Sequence, residues 1–271
     1  MKTYLYPILA ALPFLFSCNK TDLNQFSTPE FASHAGKLVL DEAVKSAEAV
    51  PAGSIVSIEF TESGLYVLGQ ASADEGVEYS SGTFTVSGSR YTLQGFGTAE
   101  FDNSKDGSVS LSLTRGSVTR THQASYTKAV GGNQLYRSWT IDKTRVTIVG
   151  WTVASADFEG CNFYEIAKFV RDSGHKAPAD IAPGFGVRSL SFTGNNSVFF
   201  LYTDDTLHMG EFSLSGNNIS YRWDNDTMGF TFHTEKATVE YMDGKCLLSV
   251  SATIVNSTTS GSVTFVLSPV Q

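Results

Sequence analysis

Charge is scarce in this sequence, and positive charge is scarcest. Only 17% of its 271 residues are charged, and 19 Lys and Arg against 27 Asp and Glu leave a formal net charge of −8. Binding nucleic acid requires clustered Lys and Arg to neutralise phosphates, and with no basic stripe that class of partner is excluded. A long apolar run is also missing: Tyr4 to Phe16 offers about 13 residues where a membrane-spanning helix needs roughly 20. The histidines, His34, His122, His175, His208 and His233, contain neither an HExxH motif nor an i,i+4 pair, so nothing indicates a zinc site. Neither a Gly-x-Ser-x-Gly elbow nor a Gly-rich phosphate loop ahead of a helix occurs. The expectation is a protein that is not an enzyme, with no catalytic residue, metal or cofactor.

What is present begins at the N-terminus. Lys2 precedes the apolar run, which ends in Leu15-Phe16-Ser17-Cys18. This resembles a bacterial lipobox, with a branched apolar residue at −3, a small residue at −1 and then the cysteine that is acylated. Residues 1–17 read as a signal peptide and Cys18 as the lipidated first residue of the mature chain; the other reading is an ordinary secretory signal that places Cys18 near the cut. Residues 18–28 are polar and aperiodic, as suits a flexible tether. The resemblance implies a bilayer partner through acylated Cys18 and a place in the cell envelope of a Gram-negative bacterium, at the outer membrane. The remainder, with 41% hydrophobic and 12% aromatic residues, is rich enough to bury a substantial core.

The body reads as short strands. Ile55 to Thr61 and Ser108 to Thr114 alternate apolar and polar residues, the period of a half-buried sheet. Thr83–Val86, Tyr91–Gly95, Ser189–Thr193, Ser197–Tyr202, Glu211–Leu214, Ile219–Trp223, Ala237–Tyr241, Leu247–Thr253 and Ser262–Leu267 read likewise. Turn pairs such as Ser63-Gly64, Ser87-Gly88 and Asp243-Gly244 separate them, giving an antiparallel meander. Two helices interrupt it. Asn162 with Glu165 three residues on makes a capping signal for a stripe of Phe163, Ile166, Phe169 and Val170 that ends at Gly174. Thr28-Pro29-Glu30 is a second start signal, for a less regular helical face of Phe31, Ala35, Leu38, Glu42, Val44 and Ala47 whose middle could also be strand.

Ordered blocks recur roughly 130 residues apart, a spacing typical of one domain each. Ile58-Glu59-Phe60-Thr61 matches Leu190-Ser191-Phe192-Thr193; Gly82 to Gly88 matches Gly210 to Gly216; Asp106-Gly107 matches Asp243-Gly244. The division expected is a first β-rich domain over 29–130 and a second over 134–271, with Gly131-Gly132-Asn133 as the seam. Leu135 to Val153, including Trp139, finds no partner in the first copy and opens the second. That opening, Leu-Tyr-Arg-Ser-Trp-Thr-Ile, and the hairpins after it resemble the lipocalin-like (calycin) domains of bacterial lipoproteins, which begin with a Gly-x-Trp strand; Arg137 stands here where that Gly usually falls. The resemblance implies a mainly β fold of two tandem antiparallel meander barrels, each with one short helix.

A small barrel either fills its interior with side chains or encloses one ligand. Phe199, Phe200, Tyr202, Tyr221, Trp223, Phe230 and Phe232 would line either, and Trp151, Trp223 and Tyr221 are the candidate ligand-binding residues, because a Trp or Tyr at a barrel mouth offers stacking area with a polar edge. Cys161 and Cys246 could form a disulfide in an oxidising compartment or be small buried hydrophobes. Asp204, Asp205, His208 and Glu211 cluster around one hairpin, as a solvated turn or a weak cation site. Asp205-Thr206-Leu207 and Asp226-Thr227-Met228 resemble the tripeptide that some Gram-negative bacteria O-glycosylate, which makes Thr206 and Thr227 candidate acceptors. Together these features point to a membrane-anchored binding or interaction module for a small apolar molecule, glycan or partner protein, or to a structural envelope lipoprotein with a filled barrel.

Overall fold

The computed structural model describes residues 31–270 apart from residues 32, 42–50, 74–75, 103–106, 151, 176, 178, 223–234 and 254–259. The first barrel is built of β1 (Gly36–Leu40), β2 (Ile55–Phe60), β3 (Leu65–Ala71), β4 (Val77–Ser87), β5 (Arg90–Leu93), β6 (Gly97–Glu100), β7 (Gly107–Arg115) and β8 (Val118–Lys128). Each pairs with the next, and β1 pairs antiparallel with β8 to close the ring. Alternation does the sorting: in β7, Val109, Leu111 and Leu113 turn inward while the serines between them face out.

The second meander comprises β9 (Ser138–Val149), β10 (Val153–Glu159), β11 (Cys161–Asn162), α1 (Phe163–Asp172), β12 (Gly186–Phe192), β13 (Ser197–Tyr202), β14 (Leu207–Ser215), β15 (Asn218–Arg222), β16 (Glu235–Met242), β17 (Lys245–Thr253) and β18 (Ser260–Pro269). β12 to β18 pair in sequence, β18 returns to β9, and β9 also pairs with β12, closing a second ring of eight strands. The chain is thus mainly β, with two closed antiparallel barrels in tandem.

α1 starts where the capping signal placed it: the Asn162 side chain accepts the Glu165 N–H at 3.2 Å, and Ile166, Ala167 and Val170 are buried. Gly174, with φ +83°, follows its last turn. β10, β11 and α1 lie between β9 and β12 in the chain, and Phe158 of β10 meets Phe169 of α1 edge to face at 6.0 Å.

The repeated blocks fall on equivalent strands. β2 and β12 carry the first pair, β4 and β14 the second, and β7 and β17 follow the third. Of the two readings open for the N-terminal helical face, its middle is strand, β1, because Leu38 and Leu40 point into the barrel with period two while β8 pairs along them; Glu42, Val44 and Ala47 lie outside the described residues. One expectation needs correction: β9 does have a counterpart in the first copy, namely β1, since each pairs with the last strand of its own ring. Among the described residues, the second copy adds β10, β11 and α1.

Contacts divide the described chain into two compact units. One takes residues up to Ser138 together with Ser191–Ser197 and Val270; the other takes Trp139–Leu190 and Val198–Pro269. Ser191–Ser197, the turn from β12 to β13, therefore belongs with the first barrel's unit.

Candidate functional site

The interior of the first barrel is occupied by its own rings. Phe60 lies 4.5 Å from Tyr91 and 5.0 Å from Phe84, Tyr91 stacks on Phe101 at 4.7 Å, and Phe101 meets Tyr126 at 5.7 Å. Phe60 and Tyr91 are completely buried, and Leu38, Ile58, Leu68, Leu111 and Ala124 fill the space around them. Phe31 closes against Phe84 at 5.1 Å. The packing sets residue size on the wall: a Cβ at Gly36 would lie 2.5 Å from the buried Tyr126 ring, which would have to shift to admit it.

The second feature of this unit is a pair of buried carboxylates. Ile58 and Phe60 point inward, so Glu59 between them points away from the core, yet it is only 2% exposed because Ser191–Ser197 covers it. Its Oε1 accepts the Thr193 hydroxyl at 2.6 Å and Asn195 Nδ2 at 3.3 Å, and its Oε2 accepts the Ser197 hydroxyl at 2.7 Å. Lys37 Nζ stands 4.0 Å from Oε2. Three side-chain donors and a nearby cation satisfy what would otherwise be a costly buried charge.

Glu62 has fewer partners. Its Oε1 accepts the Gly194 N–H at 3.1 Å, and burial, aided by the neighbouring Glu59, pushes its pKa up to about 7 against the pull of backbone hydrogen bonds. The Gly194 carbonyl in turn accepts the Val130 N–H at 3.0 Å. A Cβ on Gly194 would collide with the Val130 carbonyl oxygen and with Glu62 Oε1. The turn is further held by Phe192 N–H donating to the Arg137 carbonyl at 3.1 Å and by the Ser138 and Ser191 hydroxyls, 2.7 Å apart.

Of the residues singled out from sequence, Cys18, Trp151, Trp223 and Thr227 lie outside the described residues, and Tyr221 is described only as backbone, paired with Phe212 and Glu235. Phe199 and Tyr202 are buried as core. Cys161 and Cys246 are both buried with free thiols. They sit on β11 and β17, strands that are not neighbours, and burial pushes their thiols up to about 11 and about 12.

The acidic hairpin is a self-contained turn. Asp204 Oδ1 accepts the Thr206 N–H and hydroxyl at 3.1 and 2.7 Å, Asp205 adopts φ +66° and pairs with Arg188 at 2.9 Å, and His208 stands edge-on to Tyr202 at 5.1 Å. Thr206, the first glycosylation candidate, therefore spends its hydroxyl proton on Asp204.

Sequence reasoning missed Glu59 and Glu62. The available signal was the block match itself, which sets Glu59 opposite Ser191 and Glu62 opposite Gly194, acid in one copy against small residues in the other.

No family model and no curated protein matches this chain. Among solved structures it is similar to the vaccine antigen transferrin-binding protein B of Haemophilus parasuis Hp5, solved as a double mutant, at a TM-score of 0.27 and 8% identity over 79% of this chain and 53% of that one. The chain thus spans about half the length of that protein.

Proposed function

We propose that this protein is a membrane-anchored, non-enzymatic lipoprotein that meets a protein or glycan partner on the outside of its barrels. The observation that carries the reading is the ring-filled first barrel: an eight-stranded meander is wide enough for one small ligand only when side chains leave room, and Phe60, Tyr91 and Phe101 take that room. The lipobox resemblance at Cys18 supplies the anchor, and the two closed up-and-down rings are consistent with the lipocalin-like resemblance. A structural envelope lipoprotein with no small ligand is the second reading, favoured by the same filled interior. Both differ from a carrier in one measurable respect. Native mass spectrometry of the full mature chain is expected to give the mass of the acylated polypeptide alone; a stoichiometric apolar molecule released on denaturation would make it a carrier.

A further inference from the structure

The two buried carboxylates at the Ser191–Ser197 turn are unequal, and the inequality has a consequence for how the turn is held. Glu59 is matched by hydroxyl and amide donors from three residues of the turn, whereas Glu62 receives one backbone N–H from it, that of Gly194. Both side chains are nearly inaccessible to water, so a second negative charge placed on Glu62 has two backbone N–H groups to solvate it, its own and that of Gly194, where Glu59 has three side-chain donors and a cation.

We propose that Glu62 makes the seat of the Ser191–Ser197 turn proton-sensitive, so that the turn is held most firmly in acid and loosens as the pH rises to neutrality. The surrounding charged and titratable groups favour this direction. Glu59, on β2, opposes ionisation of Glu62. Tyr136, from the segment after β8, is itself pushed up first by burial and then by Glu62, so it stays neutral over this range and brings no charge to bear on Glu62. Lys37, on β1, sits at Glu59, and the neighbouring Arg137 holds the turn through its backbone carbonyl. Residues 193–197 bring no ionisable side chain.

Linkage fixes the sign. A carboxyl that titrates near 7 when the turn is seated, and near 4.5 when it is released, leaves seating undiminished below 4.5 and weakens it progressively up to about 7, beyond which the loss is constant. Between pH 5 and 8 the seating equilibrium should fall, with roughly 70-fold as the upper limit set by full return of the carboxyl to its ordinary value.

The test is hydrogen exchange followed by mass spectrometry on the full chain, comparing protection of residues 191–197 with that of β4 across pH 5 to 8. The expected result is a ratio that falls with pH in the wild type and stays flat in Glu62→Gln, which cannot ionise. A wild-type ratio that is flat over this range overturns the proposal, and because that arm needs no variant, a failure of Glu62→Gln to fold does not rescue it.

Discussion

Thr61 and Thr193 hold equivalent places in two copies of one turn. Thr61 Oγ1 accepts the Leu65 N–H at 3.2 Å, Thr193 Oγ1 accepts the Ser197 N–H at 3.3 Å, and the third residue after each Thr adopts positive φ, +78° at Gly64 and +63° at Asn196. Only Thr193 then donates to a buried carboxylate, Glu59. Replacing each by Val separates the two roles. Thr61→Val should cost about 1 kcal/mol, and Thr193→Val about 2 to 3 kcal/mol, because it removes a charge-assisted bond and leaves Glu59 short of a donor. Urea unfolding of the two variants measures the difference.

Gly194→Ala should destabilise the unit by about 1 to 3 kcal/mol, since the new methyl meets the backbone carbonyl of Val130, which cannot rotate aside as a side chain would. Gly216→Ala is the comparison. It places a Cβ in open space and should cost only the strain of its positive φ, +59°. Thermal melts of both variants distinguish collision from backbone strain.

The strand Ser108–Thr114 and the helix behind Asn162 were legible because each is dictated locally, one by period-two alternation and the other by a side-chain cap. β1 was legible only as one of two readings, because it is a five-residue strand whose Phe31, Ala35 and Leu38 approach also fits a helical spacing. Glu59 was illegible for a different reason. Alternation correctly turns it away from the core, and in water that would be the end of the matter, but a turn far along the chain covers it. Burial created by long-range packing leaves no trace in the local pattern.

Cys161 and Cys246 should resist alkylation in the native protein and both react after unfolding without reductant, since burial holds each thiol protonated and neither is bonded. Mass spectrometry after iodoacetamide treatment counts them. With Cys18 acylated, two added groups are expected on the denatured mature chain; none would show that the pair oxidises after all.

Cys18→Ser should abolish incorporation of an alkyne-tagged palmitate and move the protein from the membrane to the soluble fraction, because one polar tether cannot replace several acyl chains. Persistence of the label in the variant would place the lipid elsewhere or remove it from the account.

The most direct test of the central claim, that the first barrel is closed by its own side chains, is benzene binding followed by NMR of the aromatic and methyl resonances in the barrel interior. Phe60→Ala serves as the positive control: it should lose about 3 to 5 kcal/mol of stability and open an apolar cavity that binds benzene saturably. The wild type is expected to show no saturable shift at Tyr91, Phe101 or Leu111. A stoichiometric site in the unmodified barrel would contradict the account and return the protein to the class of small-molecule carriers.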